Sequence, residues 1–186
     1  ALVLLVVLAP HFGILLMSFA KVWSFSVLPD SYTLDHYRTV FGDSANMIGN
    51  TLLYCGLSAS IDVIIGTAIA YLILRTRLPA RQWLDYMASI ALAIPKLVLA
   101  IGYMRMFKDV NLPFTETPIV ASWVLIMLAY AVRRLPYALR SCMAALQQVH
   151  ISLEEAAQSL GASRLSVIRR VMVPLMMGGI LAGFVT

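Results

Sequence analysis

The chain contains a stretch of 28 residues, 47–74, in which Asp62 is the sole charged side chain. A helix of that length rises ~42 Å, which exceeds the ~30 Å hydrocarbon core of a bilayer. Backbone polar groups inside a bilayer must be satisfied internally, so such a stretch is expected to be a membrane-spanning helix. The composition agrees, because 61% of the residues are hydrophobic, 12% are charged and the mean hydropathy is +0.85. The predicted fold class is therefore an all-α, polytopic transmembrane helix bundle.

About five spans are expected along the chain. The other apolar stretches are residues 1–20, 84–107 and 119–148 and a region that begins near residue 171. Pro95 lies at the centre of the third span, and Pro136 is expected to kink the fourth. Residue 1 is not Met and both ends are apolar, so residues 1–186 are expected to be a single transmembrane domain truncated at both ends.

Pairs of small residues four positions apart predict close packing between helices. Gly179 and Gly183 form one pair, and Gly66 and Ala70 form another. The histidines and cysteines are scattered over different segments without metal-ligand spacing, so no metal site is expected.

The distribution of Lys and Arg predicts the orientation of the chain. The net charge is +5, but no basic face with interleaved aromatics accompanies it, so nucleic acid is not an expected partner. Cytoplasmic segments of membrane proteins carry an excess of Lys and Arg. If the first span exits outward, the inner segments 75–85 and 133–170 hold nine arginines and the outer segments hold four Lys or Arg residues. This count places residues 150–170 in the cytoplasm.

Residues 152–163, SLEEAAQSLGAS, form a polar segment in apolar surroundings. Ser152 and Glu155 have the spacing of a capping box, which predicts a helix start at Ser152. Small and apolar side chains then recur at helical spacing on one face: Leu153, Ala156, Ala157 and Leu160. Gly161 stands where a left-handed terminating residue is expected, and a second helix is expected from near Ser163. The apolar stripe is too small to form a core alone, so it predicts a partner.

The stretch EAAQSLGASRLSVIRRVMVP resembles the EAA loop of binding-protein-dependent ABC importer permeases. That loop has Glu-Ala-Ala, three residues, Gly, nine residues, Ile, one residue and Leu-Pro. The matching positions keep this spacing: Glu155, Ala156, Ala157, Gly161, Val171, Val173 and Pro174. Valine stands in place of Ile and of Leu. The similarity extends to AYAVRRLPYALRS just upstream and to the order of the spans, so it covers nearly the whole chain.

The resemblance implies the permease subunit of a type I ABC importer, with the MetI-like fold, in the bacterial inner membrane. Residues 150–170 would be its cytoplasmic coupling loop, in which Glu155, Ala156, Ala157 and Gly161 contact the ATP-binding subunit. The other implied partners are a periplasmic substrate-binding protein, membrane lipid and a second permease half, either identical or homologous. The alternative for this loop is an amphipathic helix lying on the inner leaflet, helped by neighbouring arginines.

The chain is not expected to be an enzyme or to hold a cofactor. It contains no Gly-Lys pair and hence no P-loop to cradle phosphates. ATP would therefore be bound and hydrolysed by the partner subunit.

Four ionisable residues are candidates for the translocation path: Asp62, Lys96, Arg133 and Arg134. Asp62 and Lys96 lie near the middle of the second and third spans, where a charge is costly and typically functional, and they can form a pair. The alternatives are that each caps a kink, faces a wet interior or snorkels. Arg133 and Arg134 lie ~22 Å into the fourth span, so at least one can line the inward cavity. The alternative for both is snorkelling to anionic head groups.

The substrate is predicted from similarity alone. The passages RRLPYALRS and ALQQ look most like the ferric iron group of these permeases, with the aminoethylphosphonate and polyamine groups as alternatives. The sequence does not distinguish a homodimer from a heterodimer or identify substrate contacts. A rival class is an ion-coupled secondary transporter that uses Asp62 and Lys96 as coupling charges, which leaves the EAA pattern unexplained. A membrane-embedded enzyme would need more polar residues converging at one depth.

Overall fold

The computed structural model describes residues 2–24 and 26–186, and most of them are helical. The α-helices are α1 (Leu2–Phe19), α2 (Asp35–Asp43), α3 (Ala45–Arg75), α4 (Gln82–Ala93), α5 (Lys96–Met106), α6 (Trp123–Gln148), α7 (Ile151–Ser159), α8 (Arg164–Val167), α9 (Val173–Leu175) and α10 (Met177–Val185). A short 3-10 turn, Ile119–Ala121, precedes α6, and a π-helical turn, Ile168–Met172, separates α8 from α9. The chain divides into two compact units, residues 1–51 and 52–186. The predicted helical class is confirmed.

The first unit joins α1 to α2 through a small hairpin. Strand β1 (Ala20–Val22) pairs antiparallel with β2 (Ser31–Tyr32). The hydroxyl groups of Ser18 in α1 and Tyr37 in α2 lie 2.7 Å apart, within hydrogen-bond distance. This contact fixes α2 beside the end of α1.

Helix α3 is long and apolar enough to cross a membrane by itself, as predicted for the second span. The apolar part of α1, Val3–Phe19, is shorter than a full span. Two pairs of helices are bent at a short break, α4 with α5 and Arg164–Leu175 with α10, and each pair is long enough to be a span only if its two helices are counted together. Helix α6 carries Arg133, Arg134 and Arg140 and is not among these candidates. By length and composition, the described residues therefore contain between one and three spans, where the sequence predicted about five.

The third predicted span is broken at its centre. Helices α4 and α5 meet at an angle of 102°, and the break falls at Ile94 and Pro95. Proline lacks an N–H group and disfavours the helical region for the residue before it. Ile94 accordingly has the extended conformation (φ −91°, ψ 129°), and Pro95 becomes the residue that precedes α5. The third predicted span therefore consists of two helices that meet at the predicted central proline.

The last predicted span is also bent. The helical region Arg164–Leu175 continues into α10 at an angle of 71°. Pro174 cannot donate a backbone hydrogen bond, and the π-helical turn directly precedes α9. The bend comes just before Gly178 and Gly179, and glycines and π-helical turns are recognised causes of helix bending.

Helix α6 lies at the centre of the second unit, where it packs against α3, α4 and α10. Leu139 and Leu146 of α6 are fully buried and form the hydrophobic core together with Met172 and Met176. Pro136 is also fully buried, and α6 continues through it without a break. The core therefore lies where α6 meets the chain that follows residues 150–170.

Glycines allow the closest helix contacts. A Cβ atom at Gly66 of α3 would lie 3.1 Å from the backbone N of Leu139, and one at Gly179 of α10 would lie 2.9 Å from the carbonyl O of Ser141. Gly183 approaches the α6 backbone in the same way. The predicted packing role of these small residues is confirmed.

Candidate functional site

Helix α7, at the start of the predicted coupling loop (residues 150–170), begins two residues earlier than predicted. His150 is its N-cap, and the ring Nδ1 of His150 accepts a hydrogen bond of 3.3 Å from the backbone N–H of Ser152. The Ser152 hydroxyl lies 2.7 Å from the same ring nitrogen. Ser152 is therefore inside the helix, and the predicted capping box with Glu155 is wrong because the histidine satisfies the free N–H group instead.

The end of α7 agrees with the prediction. Gly161 has a φ of +88°, in the left-handed region that glycine adopts without strain. The N–H of Gly161 donates to the carbonyl of Gln158 (2.9 Å), and the N–H of Ala162 donates to that of Ala157 (3.1 Å). This pair of hydrogen bonds is a Schellman motif, which closes the helix and reverses the chain.

The two sides of α7 have different surroundings. Glu154 is buried, and Ala157 packs against the hydrophobic core. The opposite side forms an exposed surface, here called the α7 outer face, which consists of Leu153, Glu155, Ala156 and Leu160. Leu160 is 90% exposed. The prediction that Ala157 shares a face with Leu153, Ala156 and Leu160 is wrong. Ala157 lies one turn after Glu154 and shares its buried side.

Glu154 is held by an ion pair that the sequence did not predict. Its carboxylate accepts from Nε of Arg75, the last residue of α3. Nη2 of Arg75 also donates to the carbonyl oxygens of Leu146, at 3.1 Å, and Val149 at the end of α6. The charged partners are 79 positions apart in the chain, so helix spacing carries no signal for this contact.

The second helix of the predicted coupling loop begins near Ser163, as predicted. The Ser163 hydroxyl oxygen caps α8 by accepting a 3.4 Å hydrogen bond from the N–H of Ser166. Val167 is buried, whereas Leu165, Arg169 and Arg170 are exposed. The loop is therefore anchored through one side of each helix.

A cavity that is lined by both apolar and polar residues, here called the Asp62 cavity, lies within the second unit. It has a volume of about 370 Å³ and opens between α3, α6 and α10. Its polar lining comes from Ser58, Asp62, Tyr130, Arg134 and Thr186. Asp62 is 2% exposed, and within the described part of the chain its Oδ2 has no hydrogen-bond partner. A buried carboxylate with a free oxygen beside a cationic side chain can bind a polar ligand.

The four predicted path residues are only partly brought together. Asp62 and Arg134 line the same cavity. Arg133 is half-buried, and its Nη1 has no hydrogen-bond partner among residues 2–24 and 26–186. Lys96 is exposed at the start of α5, and the described residues contain no ion pair between Lys96 and Asp62. The possible pair is therefore not formed, and Lys96 instead lies at the first residue of α5, just after the break at Pro95.

Comparison with known proteins identifies related transport components. The family model described as "Binding-protein-dependent transport system inner membrane component" matches residues 62–186. The ferric transport system permease protein FbpB of Actinobacillus pleuropneumoniae is 30% identical, over 83% of this chain and 22% of that protein. A putative ferric transport system permease protein of Haemophilus influenzae is 28% identical, over 83% of this chain and 24% of that protein.

A third relative transports a different solute by its name. The sulfate transport system permease protein CysT of Salmonella typhimurium is 29% identical, over 72% of this chain and 50% of that protein. The chain thus spans about a quarter of the length of the two ferric relatives and half the length of the sulfate relative.

Proposed function

Because the chain belongs to the family of binding-protein-dependent transport system inner membrane components, we propose that it forms the membrane pathway of an ATP-driven importer. It is a multi-pass inner-membrane protein of the ABC permease kind. In the proposed importer, a separate subunit binds and hydrolyses ATP, and a periplasmic binding protein delivers the solute. A second permease half, identical or homologous, completes the pathway.

The two-sided structure of α7 carries the proposal of an ATP-binding partner. Its inner side is fixed by Glu154 and by core packing, while the α7 outer face is exposed. Ala156 leaves room for close approach of a partner, and Glu155 supplies a charge that can set the register of docking. These residues, with Ala157 behind them and the Gly161 turn at the end, form the proposed coupling element.

A membrane surface explains the α7 outer face less well. Helices that lie on the inner leaflet carry Lys and Arg along their polar face, where these residues meet anionic head groups. Helix α7 contains no Lys or Arg, and its two charged residues are both glutamates. A protein partner therefore fits this helix better than lipid does.

The proposed solute path passes the Asp62 cavity. Asp62 and Arg134 present opposite charges to one space, and Ser58 and Tyr130 add hydroxyl groups. A charged group near the middle of a membrane span is costly unless it faces a cavity or a partner. The position of Asp62 in this cavity therefore supports a role in passage of the solute. Arg133 and Lys96 remain predicted path residues outside this cavity.

Ferric iron is the proposed solute. The two ferric permeases each align with 83% of this chain, and the sulfate permease aligns with 72%. Aminoethylphosphonate, polyamine and sulfate are the solutes to test if iron is not transported.

Substitution of Ala156 tests the coupling role. We expect Ala156→Arg to prevent docking of the ATP-binding subunit, because a long charged side chain would fill the centre of the α7 outer face. Uptake of radiolabelled ferric iron by cells that carry the full-length gene should then fall about tenfold or more, which corresponds to a loss of ~1.4 kcal/mol of docking energy. The matched control, Ala156→Ser, keeps a small side chain and should retain uptake.

The same cells separate the mechanism from the solute. Co-purification of the ATP-binding subunit should be lost with Ala156→Arg and kept with Ala156→Ser. If Ala156→Arg retains both uptake and the subunit, the coupling role of α7 is wrong. Iron uptake that is indifferent to the gene, with the subunit still bound, rejects iron and leaves the permease role standing.

A further inference from the structure

Arg75 joins three helices with one side chain. Its Nε pairs with Glu154 of α7, and its Nη2 donates to the carbonyl oxygens of Leu146 and Val149 at the end of α6. The side chains of Arg75 and Glu154 are 12% and 7% exposed. The junction of α3, α6 and α7 is therefore largely shielded from water.

These contacts provide hydrogen-bond partners for carbonyl groups at the end of α6. The last carbonyl groups of a helix have no intrahelical partner, and a cation beside them interacts favourably with the helix dipole. Glu154 lies in the first turn of α7, where a negative charge is favoured. A buried ion pair depends on both partners, since loss of one leaves an unpaired charge. The guanidinium fork of Arg75 reaches in several directions at once, which a lysine ammonium does not.

The chain segments before and after α7 connect it to the rest of the second unit less directly than the Arg75–Glu154 ion pair does. After α7, the chain passes through the Gly161 turn, the π-helical turn Ile168–Met172 and a bend of 71°. Before α7, it passes through Val149 and His150, which are both extended. Neither route is a continuous helix that leads from α7 to the Asp62 cavity.

Helix α3 provides such a route. From Arg75 it runs unbroken to Asp62, 13 residues or ~20 Å away. We propose that Arg75 is a positioning residue that passes movement of α7 to α3 and thereby to the Asp62 cavity. This inference rests on the proposed function, because the ATP-binding subunit is what would move α7. Arg75 acts through Glu154 and is not among the residues that line the Asp62 cavity.

A distance measurement in the assembled transporter tests this role. Spin labels would be placed at Leu57→Cys on α3 and Ser159→Cys on α7, both exposed positions, in full-length protein with Cys55 and Cys142 replaced by Ala. With Arg75 and Glu154 present, ATP should leave the distance between the labels unchanged, because α3 and α7 move together. In Glu154→Gln and Arg75→Lys, ATP should change that distance, and iron uptake should fall at least about fivefold.

Arg77→Gln is the matched control, because Arg77 is exposed two residues beyond Arg75. It should behave as the unsubstituted protein. The inference is overturned if ATP changes the label distance in the unsubstituted complex, or if Glu154→Gln and Arg75→Lys lower only the melting temperature. Failure of the ATP-binding subunit to co-purify with the unsubstituted protein would instead overturn the proposed function, so the two failures are distinguishable.

Discussion

At the scale of residues, Gly161 is required for its backbone conformation and not for space. A Cβ atom at this position would meet nothing within 4 Å, yet its φ is +88°. The left-handed conformation costs residues with a Cβ atom roughly 1–2 kcal/mol. The glycine therefore sets where α7 ends and where the chain reverses.

We expect Gly161→Ala to destabilise the protein by about 1 kcal/mol, because the alanine must adopt this unfavourable conformation or unwind the end of α7. Gly102→Ala is the control, since Gly102 lies inside α5 with equally open surroundings and a helical backbone. It should be neutral or slightly stabilising. Melting temperatures of the purified full-length proteins give the comparison, and equal losses for the two variants would contradict this account.

The two adjacent glutamates show how far the sequence defines the site. The EAA pattern predicted Glu155, which lies on the α7 outer face, and its contact with a partner stays a prediction. Glu154 carries no such pattern, and its partner Arg75 lies at the end of a different helix. Short-range spacing predicts helix ends such as Gly161, whereas a pair formed between distant helices depends on their packing.

At the scale of elements, α6 and α10 approach closely because glycine stands at the contact. A Cβ atom at Gly179 would overlap that of Ala145 and crowd the carbonyl oxygen of Ser141, whereas one at the adjacent Gly178 would meet nothing within 4 Å. Helix contacts inside membranes depend on this kind of close packing.

We therefore expect Gly179→Ala to cost about 1–3 kcal/mol, since α10 must shift away from α6 to accommodate the methyl group. Gly178→Ala is the matched control in the same helix and should change stability by less than about 0.5 kcal/mol. Thermal unfolding of the purified protein measures both. Equal stability of the two variants would show that α10 does not pack as described.

The two prolines explain why helix breaks were harder to predict than helices. Pro95 interrupts the chain with a 102° bend, whereas Pro136 lies inside an unbroken α6. Pro136 is fully buried where α6 packs against its neighbours, while Pro95 is exposed. The sequence locates both prolines, but surrounding packing decides whether the helix continues, and that packing involves residues distant in the chain.

At the scale of the whole molecule, α3 links the two features for which a function is proposed. Asp62 lies along its length, and Arg75 lies at its end. The apolar stretch predicted this helix. Arg134, which lines the same cavity as Asp62, and Glu154, which pairs with Arg75, come from other segments of the chain. A buried charge in a membrane-spanning helix lowers stability, so its presence indicates a function that offsets this cost.

Neutralisation of Asp62 is expected to change stability and transport in opposite directions. Asp62→Asn removes the cost of burying a charge, so the full-length protein should be more stable by about 1 kcal/mol or more. Uptake should fall at least about fivefold if the carboxylate acts on the solute. Cys55→Ala, which changes a neutral residue of the same cavity wall, should alter neither. Melting temperature and uptake are measured on the same preparations and cells. A variant that loses stability would indicate that Asp62 is a structural partner of Arg134, because a path residue can be neutralised without weakening the helix bundle around it.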